Sequence, residues 1–337
     1  MSTDHPVPAP TVKSRIHGCL LGGALGDAAG YAVDVPGGLF SDDTQLTLYT
    51  VDGLVEALEW ANAGVGADVN ACLWLAYLRW LATQGEDAGP SAPVPQPRWI
   101  DGNEVLRRRR DPEQDCISGL ATGEMGTAAR PVNPSSRGRG TVMRSAPFGL
   151  VPHIAPDAVY KLSVDAAALT HGHPAARQSA GIFSLLIHRL VSGEELRAAA
   201  EAVTAHAAGL PDVAPELPQR LEAALRLAGS AHAPGELAEA LGGGEAAEEV
   251  LAVALYSALA TIPPGGGTLP SQHFSEAVAL AVSHGSARDT AGALTGSILG
   301  ASYGEDCLPV QWLEVLEAAE VVRGMADQLV GVTTGEG

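Results

Sequence analysis

Aromatic residues are scarce in this 337-residue chain, where Phe, Trp and Tyr together make up 4%. With 46% of positions hydrophobic, alanine and leucine must do most of the core filling. Ala-rich stretches favour helix over strand. Positive charge is also short: Lys and Arg number 20 against 39 Asp and Glu, for a formal charge of −19. Such a surface repels a phosphate backbone, so sequence-independent nucleic-acid binding is not expected. A small anionic ligand in a local basic pocket stays open, because arginines cluster at Arg107 to Arg110 and at Arg130, Arg137, Arg139 and Arg144. No apolar run reaches the length of a membrane span. Met1 to Pro10 lacks the charged and apolar run of a signal peptide. The four cysteines, Cys19, Cys72, Cys116 and Cys307, lie far apart without a C-x-x-C pair. They are expected to be reduced, mostly buried thiols of a soluble cytoplasmic protein.

What the chain does have is helical periodicity. Ile16, Leu20, Leu21 and Ala24 fall on one side of a helix over 13–30. Leu48, Val51, Val55 and Leu58 do the same over 42–60, and a third helix follows at about 68–83. Residues 85–97 read as a surface loop, and 111–156 as a long ordered loop region rich in Gly, Pro and Arg. Such loops in compact domains are usually functional. Helical patterns resume at 157–170, 174–191, 194–208, 215–228, 235–242, 245–261, 273–283, 289–303 and 309–330. No alternating run argues for a sheet, so the expected fold is all-α.

Glycine recurs every fourth residue at Gly18, Gly22, Gly26 and Gly30, and again at Gly292, Gly296, Gly300 and Gly304. Each interior glycine costs a helix roughly 1 kcal/mol relative to alanine. Two such stripes predict two helices packed backbone to backbone in a central pair. General glycine richness, with 40 in the chain, is the alternative.

Two segments carry oxygen ligands. Ser41-Asp42-Asp43-Thr44 opens the second helix, where Asp42 with Gln45 reads as a capping box. A cap accounts for one carboxylate only, and the cluster equally suits a hard cation such as Mg²⁺. Asp289-Thr290 opens a later helix, as an ordinary cap or as a second oxygen pair brought to the first by the glycine-striped helices. The loop from Arg137 to Arg144 has small residues that let backbone amides approach a phosphate, with guanidinium groups alongside. A solvated basic turn explains it equally well, and the Arg107 to Arg110 run reads as a solvated helix end. Thr170-His171-Gly172-His173 has no further Cys or His at zinc spacing, so His171 is expected to serve as a ligand contact or a structural residue.

Together these segments resemble the ADP-ribosylglycohydrolase family, over about Val12 to Val330, with 85–115 poorly matched. The matching motifs run in family order: Gly22 to Val35 with Gly26-Asp27-Ala28, Ser41-Asp42-Asp43-Thr44, Gly138 to Arg144 followed by Pro147, and Thr170-His171. The resemblance implies one all-α domain over 12–330 with a central cleft, between flexible ends at 1–11 and 331–337. It implies a binuclear magnesium or manganese site whose ligands map onto Ser41, Asp42, Asp43, Asp289 and Thr290. Asp34 matches an acid, usually Glu, near the attacking water. Gly138, Gly140, Thr141, Val142, Met143, Arg144 and His171 match the ligand-binding positions.

Three departures bear on that expectation. The last metal motif usually reads Gly-Gly-Asp-Thr-Asp-Thr, whereas this chain has Gly285-Ser286-Ala287-Arg288-Asp289-Thr290, losing one carboxylate at Ala287 and gaining a cation at Arg288. The linker from Asp34 to Ser41 is short, and Arg139 stands where the family loop often has Asn. Removing a carboxylate and adding a guanidinium both work against a second divalent ion, so fewer than two metals per chain are expected. The expected function is an ADP-ribosyl hydrolase in which a metal assists water at the distal ribose and Asp43 or Asp34 takes the proton. Its partner is ADP-ribose or an ADP-ribosylated protein or small molecule. The alternative is an ADP-ribose-binding relative that keeps the pocket without the chemistry.

Overall fold

The computed structural model describes residues 9–31, 38–230, 234–263 and 269–334. Among these there are fifteen α-helices and no β-strand, as the periodicity predicts. The first four are α1 (Val12–Tyr31), α2 (Asp42–Asn62), α3 (Val69–Thr83) and α4 (Gln114–Ala121). The middle of the chain forms α5 (Ala146–Gly149), α6 (Pro156–Ala167), α7 (Pro174–Val191), α8 (Leu196–Ala208) and α9 (Glu216–Ala228). The remainder forms α10 (Pro234–Leu241), α11 (Ala247–Ala260), α12 (Pro270–Val282), α13 (Arg288–Tyr303), α14 (Val310–Leu313) and α15 (Ala319–Thr334).

The centre is the antiparallel pair α1 and α13. Gly18, Gly22 and Gly26 face Gly300, Gly296 and Gly292 in turn, and a Cβ added to Gly26 would lie 2.0 Å from the carbonyl oxygen of Gly292. Gly30 closes on the backbone of Arg288 and Asp289, and Gly304 on Ser14. Both glycine stripes therefore serve close backbone approach, as their period predicts. Every residue from Arg15 to Ala28 and from Thr290 to Ala301 is buried. A helix apolar on all sides belongs in the middle of a core. Around the pair, α2 and α15 pack against α1 on one side, and α7, α11 and α12 against α13 on the other. The guanidinium of Arg15 donates to the carbonyls of Leu190 at 3.0 Å and Ala301 at 2.7 Å, placing a cation at the C-terminal ends of α7 and α13.

Three stretches differ from the sequence reading, one being α5, which lies inside the segment 111–156 read as loop. Residues 114–121, inside the presumed long loop, form α4, because Glu113 caps it by accepting from the Cys116 amide at 2.8 Å. The single helix expected over 309–330 is broken between α14 and α15. Glu317 there takes Arg108 at 2.9 Å and Arg110 at 2.6 Å, its amide donates to the Gly38 carbonyl at 3.1 Å, and Ala318 turns to φ 49°. These ties hold the chain out of helical register. They also correct the view of Arg107 to Arg110 as a solvated helix end: Arg110 is buried, donating to the Phe40 carbonyl at 2.9 Å and lying over the Phe40 ring.

Candidate active site

The start of α2 is held from below by α1. Ser41, with extended backbone, is the N-cap, and its hydroxyl accepts from the Asp43 amide at 3.1 Å. Asp27, one helical step past Gly26, is fully buried beneath it. The Asp27 carboxylate accepts from the Ser41 amide at 3.0 Å, the Thr44 amide at 3.1 Å and the Thr44 hydroxyl at 2.5 Å. The capping box expected from Asp42 and Gln45 is thus replaced. Gln45 instead meets Trp80, Gln84 and the Arg108 carbonyl.

Freed from capping, two carboxylates become available. One Asp42 oxygen, Oδ2, accepts from the Glu113 amide at 2.9 Å. Asp43 is buried, and its Oδ2 has no hydrogen-bond partner among the described residues. The α1–α13 pairing brings Asp289 to the same place, with its Oδ1 accepting from the Thr290 amide at 2.8 Å. Burial, then the mutual charge of Asp27, Asp42 and Asp289, raises the Asp43 carboxyl well above the usual carboxylate range. Asp42 is raised likewise, and burial with the charge of Asp289 pushes Asp27 up to about 7 despite its hydrogen bonds from Thr44 and Ser41. Buried carboxylates that repel one another must protonate or acquire a counter-cation.

One counter-cation is present. Arg139, with a side chain 26% exposed, donates from Nε to the Thr290 hydroxyl at 3.0 Å. Burial alone would weaken its charge, but Asp43, Asp289, Asp42 and Glu113 hold it firmly protonated. Arg288, the cation expected to disturb the site, is exposed and makes no ion pair among the described residues. The intrusive positive charge therefore comes from the glycine loop, not from the start of α13. Ala287 is buried at the α13 N-cap and offers no side-chain cap.

The loop from Gly138 to Arg144 lies over Glu113, Cys116 and His171. A Cβ on Gly138 would fall 2.4 Å from Glu113 Oε1, and one on Gly140 would fall 2.6 Å from Cys116 Sγ and 2.8 Å from His171 Cε1. Only glycine fits at these two places. The side chains of Thr141, Val142, Met143 and Arg144 are all buried. The Arg144 guanidinium lies 4.3 Å over the Tyr77 ring, meets Cys116 Sγ at 3.3 Å and donates to Thr170 Oγ1 at 2.7 Å, so it is not offered to a phosphate. His171 is fully buried, with Nδ1 2.8 Å from the Thr170 hydroxyl and Nε2 3.4 Å from Glu113 Oε1. It supports the loop from beneath. The amides of Gly140 and Thr141 donate to no partner among the described residues.

Glu113, Cys116 and His171 bring one ligand atom each within 4.8 Å of one another. Arg144 beside the sulfur and the Cys116 amide on Glu113 already satisfy much of this group. Burial pushes Glu113 up, but His171 and the Cys116 amide outweigh it and hold the carboxyl at about 2. The Asp cluster is looser, since its carboxylates do not all come within 4.8 Å of one another, but it too has a buried atom without a partner, Asp43 Oδ2, as the Glu113 group has His171 Nε2. Sequence reasoning missed Asp27 as a brace, and Glu113 and Arg139 as neighbours of the acids. Only Asp27 left a signal, a charged residue in the apolar glycine stripe. Asp34 lies outside the described residues.

An all-helical protein whose glycine-faced central pair gathers carboxylates from two helix starts is one architectural class. The sequence profile of the ADP-ribosylglycohydrolase family matches residues 8–337, and the chain belongs to that family. Its members are in general hydrolases and depend on metal. A solved structure described as an ADP-ribosylglycohydrolase-related protein complex has the same fold, with a TM-score of 0.65 and 24% identity over 96% of this chain and 99% of that one. No curated protein matches the chain. No described helix is long and apolar enough to cross a membrane.

Proposed function

We propose that this chain is an ADP-ribosyl hydrolase that releases ADP-ribose from a modified protein or small molecule, with one magnesium or manganese ion. The observation that carries the reading is the buried Asp43 carboxylate, unpartnered at Oδ2 and flanked by Asp42 and Asp289. Ser41, Asp42, Asp43 and Asp289 would hold the ion, an all-oxygen donor set suited to a hard cation. Such an ion would supply positive charge that binds and orients the ribose hydroxyls. The unpaired amides of Gly140 and Thr141 suit a pyrophosphate oxygen.

In the reaction, water adds to the anomeric carbon of the distal ribose as the bond from that carbon to the acceptor atom breaks. The bonding electron pair leaves with the acceptor, which gains a proton. Asp43 is assigned to take the proton of the water, with Asp34 as the other candidate acid. Asp27 stays a positioning residue, since its oxygens are engaged by Ser41 and Thr44.

Binding of ADP-ribose without turnover is favoured by a different observation: Ala287 gives no carboxylate, and the Thr290 hydroxyl already accepts from Arg139. Incubating the chain and Mg²⁺ with ADP-ribosylated protein, nucleic-acid and small-molecule substrates separates the two. Free ADP-ribose released by the parent and not by Asp43→Asn supports the hydrolase. Binding with no release from any substrate supports the binder.

A further inference from the structure

Arg139 is the feature that the proposed reaction does not use. Its backbone belongs to the glycine loop, yet its side chain leaves the loop and runs to the start of α13, where Nε donates to Thr290 Oγ1 at 3.0 Å. Thr290 follows Asp289, whose carboxylate accepts from the Thr290 amide. Its one ion pair among the described residues is to Glu245, 4.0 Å from Nη1 and 70% exposed, which is too loose to explain the placement. On the inner side no carboxylate comes within 4.0 Å of it among the described residues, but the charges of Asp43, Asp289, Asp42 and Glu113 act on it across the cluster, and its hydrogen bond to Thr290 fixes it at their edge.

A guanidinium is planar and weakly hydrated, and it keeps its charge when partly buried. Those properties let it sit near carboxylates where an ammonium would need more water. It also occupies one lone pair of the Thr290 hydroxyl and crowds an oxygen that a cation at this end of the cluster would use. The neighbouring Ala287 is buried and brings no negative charge. The α2 end is different, for there Asp43 Oδ2 remains unpartnered and Arg139 makes no hydrogen bond to it.

We propose that the guanidinium of Arg139 stands in for a divalent cation at the α13 end of the carboxylate cluster, leaving one exchangeable cation site at the α2 end. The inference rests on the reading of that cluster as a cation site. It gives the cluster one positive charge of the chain's own, so the fold depends less on added metal than the same carboxylates otherwise would.

Calorimetric titration of Mn²⁺ into the metal-stripped full chain, with melting curves in EDTA and in Mn²⁺, tests it. The parent is expected to take one Mn²⁺, and Arg139→Lys, which keeps the charge but loses the Nε bond to Thr290, to stay closer to the parent than Arg139→Gln does. Arg139→Gln is expected to take a second ion or to bind the first at least tenfold tighter. In EDTA it melts below the parent, and Mn²⁺ recovers the difference. If Arg139→Gln is unfolded in EDTA, refolding in Mn²⁺ supports the proposal and failure to refold overturns it. Two ions in the parent, or no gain of metal in a folded Arg139→Gln, also overturns it. These readouts are independent of ADP-ribose. A chain that never binds ADP-ribose still gains metal in Arg139→Gln if the inference holds. An active hydrolase whose variant gains none keeps its function and loses this inference.

Discussion

Gly22 and Gly296 pass so closely that a Cβ on Gly296 would lie 1.9 Å from the Gly22 carbonyl oxygen, and one on Gly22 would lie 2.5 Å from that of Gly296. The obstacle in both directions is backbone, which cannot rotate aside as a side chain can. Gly296→Ala is therefore expected to destabilise the fold by about 3 kcal/mol or more, because overpacking outweighs the roughly 1 kcal/mol gained in helix propensity. Gly331 in α15 meets no atom within 4 Å of an added Cβ, so Gly331→Ala should be neutral or slightly stabilising. Urea unfolding of the two variants checks the contrast. Equal stabilities would mean that the glycine stripe does not set the helix spacing.

Asp27 fixes the acidic start of α2 through hydrogen bonds from Ser41 and Thr44. Asp27→Ala leaves those buried donors without a partner, at a cost of about 1–3 kcal/mol for each group left unsatisfied. Its Mn²⁺ affinity should fall at least tenfold as Ser41 and Asp43 lose their register. Asp27→Asn keeps an acceptor oxygen and should lose less of both. Unfolding and metal titration of the pair decide whether Asp27 acts through position.

Ala287 and Arg288 separate in the structure although they are neighbours in sequence. Arg288 is exposed, so Arg288→Thr alone should leave Mn²⁺ affinity within about twofold, as water and salt screen it. Ala287 is buried at the helix start, so Ala287→Asp should raise Mn²⁺ affinity without any change at Arg288. Calorimetry on the two single variants tests this. A larger effect from Arg288→Thr would return the disturbing charge to that residue.

His273 gives a pH dependence of stability. Burial lowers its pKa from the ordinary 6.5, against the raising effect of the Ala258 carbonyl, which lies 3.0 Å from Nε2. The folded state then binds fewer protons than the unfolded state as pH falls through 6.5, so stability is present above that value and is lost below it. The drop in urea midpoint between neutral pH and about pH 5 should be smaller in His273→Gln. An unchanged drop would place the effect in other groups, such as His17 and His188, which burial also lowers.

Much of the frame was legible in the sequence because it depends on local repetition. The period of four in Gly18 to Gly30 and Gly292 to Gly304 gave away a helix pair, and that pairing explains why Asp289 comes near Asp42 and Asp43. Direction was not legible. Arg139 and Arg144 look alike in a glycine-rich loop, yet one turns to Thr290 and the other lies over Tyr77. That difference is set by α3 and α13, which are distant in sequence. The same holds for Glu113, which acquires its place only when its amide meets Asp42. The break before α15 likewise depends on Arg108, Arg110 and Gly38 holding Glu317, ties that no local window contains.

The central claim is that the carboxylates at the starts of α2 and α13, beneath the Gly138 to Arg144 loop, form one ADP-ribose site with a cation. Calorimetric titration of ADP-ribose, with and without Mg²⁺, into the parent and Asp43→Asn tests it most directly. The account predicts saturable binding by the parent, tighter in Mg²⁺, with the Mg²⁺ enhancement lost in Asp43→Asn. No binding by the folded parent in either condition would contradict it.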